Sequence, residues 1–180
     1  MFVRSMKIAG VALALAATTV AAQKVVSTKM GGGGSPHETV EYTVKGAKIT
    51  ISYGRPFLKG RKLLTDVAPA GKVWRTGADE ATTLTTDKGL MFGALMVPAG
   101  TYTLFTVPDA AGWKLVVSKQ TGQWGTEYHE DKDLGRADLK VEKLATPAEQ
   151  VTISITEAGG SPTLNIDWSA TRATTPFMVH

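Results

Sequence analysis

The sequence predicts an all-β domain, an antiparallel β-sandwich or partly open barrel of about nine or ten short strands, with one short helical turn near residues 61–67. Three observations carry this. Beyond Val40, apolar and polar residues alternate with a period of two through most of the chain. Turn chemistry such as Lys45-Gly46, Asp87-Lys88-Gly89, Pro98-Ala99-Gly100 and Gly159-Gly160-Ser161-Pro162 recurs at a spacing of roughly 8–12 residues. After residue 22 no segment sustains a helical period for more than about two turns, so the crossover helices that a parallel sheet needs are missing.

The chain opens with a segment that is not expected to join the fold. Arg4 and Lys7 give a positive start, and Ile8 to Val20 is apolar. That run of about 13 residues falls short of the roughly 20 needed to span a membrane. Val20-Ala21-Ala22 supplies small residues for cleavage between Ala22 and Gln23. Residues 1–22 therefore read as a signal peptide of a periplasmic or secreted protein, with no membrane span after its removal. Losing Arg4 and Lys7 leaves 18 Lys and Arg against 16 Asp and Glu, so the formal charge falls from +4 to +2. That balance, with no basic run interleaved with aromatics, excludes nucleic acid as an expected partner. There is no Cys, hence no disulfide, and a domain of this size needs none.

Residues 23–37 read as a flexible tail, because Gly31 to Gly34 offer nothing to bury. Residues 38–180 read as a single β domain. Val40, Tyr42 and Val44 alternate with polar residues, Lys45-Gly46 turns, and Ala47, Ile49, Ile51 and Tyr53 alternate in return. This is a hairpin with one buried face. Pro56 ends it, since proline lacks the ladder donor. Leu63, Leu64 and Val67 suit a single helical turn. Ala81 to Thr86, Leu90 to Val97, Thr101 to Val107 and Trp113 to Val117 read as strands. Thr121 to Arg136 reads as a polar loop. Leu139 to Lys143, Val151 to Ile155, Leu164 to Ala170 and Phe177 to Val179 complete the set.

Candidate chemistry concentrates in Trp74-Arg75-Thr76-Gly77-Ala78-Asp79-Glu80. Trp74 offers a flat apolar face, Arg75 a planar fork for carboxylate or phosphate, and Glu80 an acceptor or general base. The structural alternative makes Trp74 a core plug and pairs Arg75 with Glu80 or Asp79. Arg55 and Arg61 flank a kinked Gly-Pro loop and suit an anion site if the fold brings them to Arg75. Trp124 and Tyr128 are loop aromatics suited to stacking or to anchoring a mobile segment. Trp113 and Trp168 fall on apolar strand positions and read as core. His129 to Asp133 is the only metal-like run. It fails as a calcium loop because Arg136 falls where a glycine is needed. His37 and His180 read as inert, and neither a metal nor another cofactor is expected. No Gly-x-Ser-x-Gly elbow is present.

Several long motifs occur together and in order. They are Ile51-Ser52-Tyr53-Gly54-Arg55-Pro56, Lys59-Gly60-Arg61, Val73-Trp74-Arg75-Thr76-Gly77-Ala78-Asp79-Glu80-Ala81-Thr82-Thr83 and Pro98-Ala99-Gly100-Thr101-Tyr102-Thr103-Leu104-Phe105. Through these motifs and the Trp113 strand the chain resembles an exported bacterial family catalogued as domain of unknown function 2911, from roughly Ser35 to Val179. The resemblance implies a secreted, mostly β domain and brings no activity. At Asp79 the chain departs from that family, which more often carries Asn there.

Three function classes remain open at this point. One is a binding module for a small polar or anionic ligand or a glycan, built from Arg55, Arg61, Trp74, Arg75, Glu80, Trp124 and Tyr128. Another is a structural or protein-interaction domain, its oligomeric state unreadable. The third is a hydrolase or lyase with Glu80 as general base and an arginine stabilising an oxyanion.

Overall fold

The computed structural model describes residues 19–109, 112–158 and 160–180, so the signal-peptide expectation falls mostly outside the described residues. The architecture is all-β and antiparallel, as the periodicity predicts. Strands β1 (Thr19–Val20), β2 (Ala22–Met30), β3 (Pro36–Val44) and β4 (Ala47–Gly54) come first. A single helical turn, Leu63–Val67, follows, closed by the Ala68 amide donating to the Leu63 carbonyl. Then come β5 (Thr83–Thr86), β6 (Leu90–Phe92), β7 (Leu95–Val97), β8 (Gly100–Val107) and β9 (Trp113–Ser118). The chain ends with β10 (Asp133–Ala158), β11 (Ser161–Pro176) and β12 (Met178–Val179).

The large sheet runs in the order β1-β10-β9-β8-β5-β4-β3-β2, with β11 paired to β10, and curls into a half-barrel. Strands β12, β6 and β7 form a small second sheet. The concave face of the half-barrel holds the core. Val40, Tyr42 and Val44 from β3, and Ile49, Ile51 and Tyr53 from β4, are buried there with Leu84, Leu104, Leu115, Val117, Trp113 and Trp168. Alternation puts successive side chains on opposite faces, which is why the period-two positions found this core.

Two expectations are corrected. Residues 22–30 are not a loose tail. They form β2, paired with β3 from Ala22 opposite Thr43 to Met30 opposite Pro36. The strand is exposed along its length and buries nothing of its own; the β3 ladder orders it, so a burial argument missed it. Ala21, on the signal side of the expected cleavage point, is buried and donates its amide to the Ile155 carbonyl. The second correction concerns strand length. β10 covers 26 residues, including the end of the expected polar loop. It pairs with β9 over Asp133–Leu139 and with β11 over Lys140–Ala158. Its register against β11 shifts between Lys143 and Ala148, the interval that holds Pro147 and so lacks one ladder donor.

The seam between β4 and β10 is closed by side chains. The Tyr42 hydroxyl donates to the Ile153 carbonyl at 3.1 Å, and the Ile153 amide donates to the Tyr53 hydroxyl at 3.1 Å. Burial holds both phenols above their ordinary range, with Tyr42 raised to about 12. An unfolded tyrosine ionises near pH 10, so above that value the unfolded chain releases protons that the folded chain keeps. Stability is therefore full below about pH 10 and falls as pH rises, by up to ~1.4 kcal/mol per pH unit for Tyr53. Urea unfolding at about pH 9, 10 and 11 should show the decline, and Tyr53→Phe should make it shallower. The same variant should cost about 1–3 kcal/mol near neutrality, because it leaves the Ile153 amide without its acceptor.

Candidate functional site

The site is built at the end of the β3–β4 hairpin. His37 and Gly54 are cross-strand partners, and both face away from the core side that holds Val40 and Tyr53. A side chain at residue 54 would collide with the Ala78 carbonyl and would come within 2.8 Å of His37 Nε2. Only glycine lets the loop after Trp74 lie directly on the hairpin. Gly77 meets the same limit from the other side, where a Cβ would stand 3.0 Å from the Gly54 carbonyl oxygen.

The loop reaches that position through two residues in the left-handed region, Thr76 at φ 55° and Asp79 at φ 62°. A β-branched residue there is strained and must be held. Thr76 is fully buried. Its hydroxyl lies 3.3 Å from the Trp74 carbonyl oxygen and 3.2 Å from Thr106 Oγ1, and the Thr82 hydroxyl donates to its carbonyl at 3.2 Å. The Gly125 amide donates to the Asp79 carbonyl at 2.9 Å, and Glu80 bridges to Trp124. These bonds fix the acidic pair Asp79 and Glu80 beside His37.

His37 is 5% exposed. Its Nε2 lies 3.4 Å from Asp79 Oδ2 and 3.2 Å from Glu80 Oε2. The Ser35 amide donates to Asp79 Oδ2 at 3.1 Å. The glycine run, expected to be a tether, is the cover of this cluster. A Cβ at Gly31 would strike both His37 Nε2 and Asp79 Oδ2, one at Gly33 would strike Asp79 Oδ1, and one at Gly32 would lie 3.5 Å from the Trp124 ring. The cover is folded on itself, the Gly31 amide donating to the Ser35 carbonyl at 2.8 Å.

Next to the cluster opens a cavity of about 430 Å³ whose lining includes Ser35, Arg61, Trp74, Arg75, Asp79 and Tyr128. Its floor is aromatic. Trp74 stacks on Trp168 with centroids 5.4 Å apart and planes 14° from parallel. Tyr128 meets Phe105 edge-on at 5.1 Å.

The expected site residues divide accordingly. Arg61, Trp74, Arg75 and Tyr128 share the cavity. Glu80 and Trp124 belong to the adjoining cluster. Arg55 belongs to neither. It pairs with Glu38 at 3.0 Å and donates to the Val151 carbonyl and to Thr152 Oγ1, both at 3.1 Å, which makes it a clamp of the β4–β10 seam. The expected Arg75–Glu80 pair does not form. Arg75 donates from Nε to the Gly77 carbonyl at 3.3 Å, and Arg61 donates to the carbonyls of Leu58 and Phe57. Among the described residues neither arginine pairs with a carboxylate. The Tyr128 hydroxyl is committed to Asp133 at 2.8 Å, and burial raises its pKa to about 12.

His37 is the residue that sequence reasoning missed, having been set aside as terminal and inert. One signal was available: four glycines and a Ser-Pro lie directly before it, and a glycine run abutting a strand also marks close backbone approach.

A model of the family described as "Protein of unknown function (DUF2911)" matches residues 35–177. No curated protein matches the chain, and no solved structure does.

The two arginines separate structure from site. Arg55→Ala should lower unfolding stability by about 1–3 kcal/mol, since it strands a half-buried Glu38 and two acceptors. Arg75→Ala should change stability by less than about 0.5 kcal/mol. Chemical denaturation of both variants beside the parent checks the contrast. Gly31→Ala should cost about 1–3 kcal/mol by the same measurement, because its methyl group has no room against His37 and Asp79.

Proposed function

This chain belongs to the DUF2911 family of proteins of unknown function, and from its site we propose that it binds a small anionic ligand in the cavity lined by Arg61 and Arg75. The observation that carries this reading is that both arginines line one cavity and, among the described residues, neither forms an ion pair with a carboxylate. Like charges gathered in a concavity call for a counter-charge. Asp79 also lines the cavity, but among the described residues it makes no ion pair with either arginine; its Oδ2 accepts the Ser35 amide and faces His37.

The chemistry narrows the ligand. The Nη groups of Arg75 are left to act as a planar fork, which fits carboxylate or phosphate oxygens in pairs. Trp74, Phe105 and Tyr128 border the cavity as well, but Trp74 and Phe105 are almost wholly buried, so its open lining is mainly polar and suits a polar ligand body. A volume of about 430 Å³ is within the range of small-molecule sites. The ligand class is therefore a small metabolite with a carboxylate or phosphate head. The signal-peptide pattern of residues 1–22 supports a periplasmic or extracellular setting for this binding.

Thermal-shift measurements with a panel of carboxylates and phosphorylated metabolites, followed by calorimetry, test the reading. At least one such oxyanion should raise the melting temperature. Arg75→Ala and Arg61→Ala should each weaken its binding by roughly tenfold or more, the worth of a charge-assisted pair. Arg55→Ala should leave affinity unchanged. A panel without effect, or an affinity indifferent to Arg75, would overturn it.

A further inference from the structure

We propose that His37, Asp79 and Glu80 form a binding site for a divalent first-row transition metal ion, with zinc the best fit to the donor set. The site adjoins the anion cavity and does not depend on that cavity being occupied.

The first argument is chemical. One imidazole nitrogen and two carboxylate oxygens are borderline-to-hard donors of the kind that hold zinc and its neighbours. Calcium takes six to eight oxygens, and a set of three that includes a nitrogen does not suit it.

The second argument is geometric. Two donors each ~2.0–2.1 Å from one metal stand ~3.3–3.4 Å apart at a tetrahedral angle and ~2.9 Å apart at a right angle. His37 Nε2 stands 3.4 Å from Asp79 Oδ2 and 3.2 Å from Glu80 Oε2. Both separations are edges that a coordination polyhedron produces.

The third argument separates a metal site from an ordinary ion pair. A protonated imidazole between two carboxylates would direct Nε2–H at one of them. Here Nε2 makes no hydrogen bond despite both short separations, and Glu80 Oε2 is also buried without a hydrogen-bond partner. His37 is nineteen-twentieths buried and presents this unpartnered nitrogen to the cluster. An orphaned buried donor atom costs free energy that a bound cation returns.

The surroundings are built to hold the arrangement. Asp79 is fixed by the Ser35 amide. Glycine at 31 and 33 leaves free the space beside His37 Nε2 and the Asp79 carboxylate that any Cβ would take. Glu80 is 44% exposed along its side chain, which leaves a way in for the ion. Three protein donors leave at least one coordination position for water or another ligand.

The test uses the full-length chain without an affinity tag, stripped with a chelator and dialysed. Calorimetric titration with Zn²⁺ should show one ion per chain with a dissociation constant in the micromolar range or tighter. Co²⁺ in its place should give visible ligand-field absorption. His37→Ala should weaken Zn²⁺ binding by roughly 100-fold or more. Because His37→Ala removes a buried side chain, Glu80→Gln is the second variant. It alters a half-exposed residue of the same shape and should weaken binding by roughly tenfold or more, with the β-sheet circular dichroism unchanged. Arg75→Ala should keep the Zn²⁺ affinity, so failure of the anion reading and failure of this one are distinguishable. No stoichiometric binding by the parent chain, or binding that both His37→Ala and Glu80→Gln leave intact, would overturn the proposal.

Discussion

The closure of the curled sheet depends on hydrogen bonds made by side chains where the strand ladder gives out. Along Ile153 one edge of β10 is paired with β11, and its other side is met by Tyr42 and Tyr53 instead of a strand. A bare edge there would leave backbone groups buried and unpaired, which costs about 1–3 kcal/mol for each group. The tyrosines satisfy those groups and fill the core with their rings at once. Arg55 extends the seam to Val151 and Thr152 and is itself neutralised by Glu38. The half-barrel holds its curvature because that seam holds.

The seam also settles which charges remain for other work. Three arginines sit in or near the 55–75 stretch. One is consumed by the seam, and two line the cavity with hydrogen bonds, among the described residues, to carbonyls alone. The same division applies to the acids. Glu38 serves the seam, while Asp79 and Glu80 are drawn to His37. Structural and site-directed charges lie close in sequence and well apart in role.

The core was legible in the sequence, and the site only in part. Val40, Tyr42, Val44, Ile49, Ile51 and Tyr53 announce their face through alternation, a local property that needs no partner to read. The stretch from Trp74 to Glu80 announced itself by density of functional groups. His37 gave no such sign, because it lies on the face of β3 opposite to Val40 and Tyr42. What buries it is a loop some 40 residues away and a glycine run whose role is to have no side chain. Arg55 was misplaced for the same reason: its partners at Val151 and Thr152 come from the far end of the chain. β2 was missed because it buries nothing and is ordered by the ladder alone.

The glycine cover has a consequence for the order of assembly. Gly31–Ser35 and His37 leave the ribosome before the acidic loop they meet has been made. Asp79 follows after about 40 more residues, and the Trp124–Gly125 segment that braces Asp79 and Glu80 comes later still. The contacts that complete the cluster are long-range and form only once those loop-closure costs have been met. The donor set is therefore complete only once Trp124 and Gly125 are in place. An ion held there would lock an early-made segment of the domain, Gly31 to His37, onto its middle.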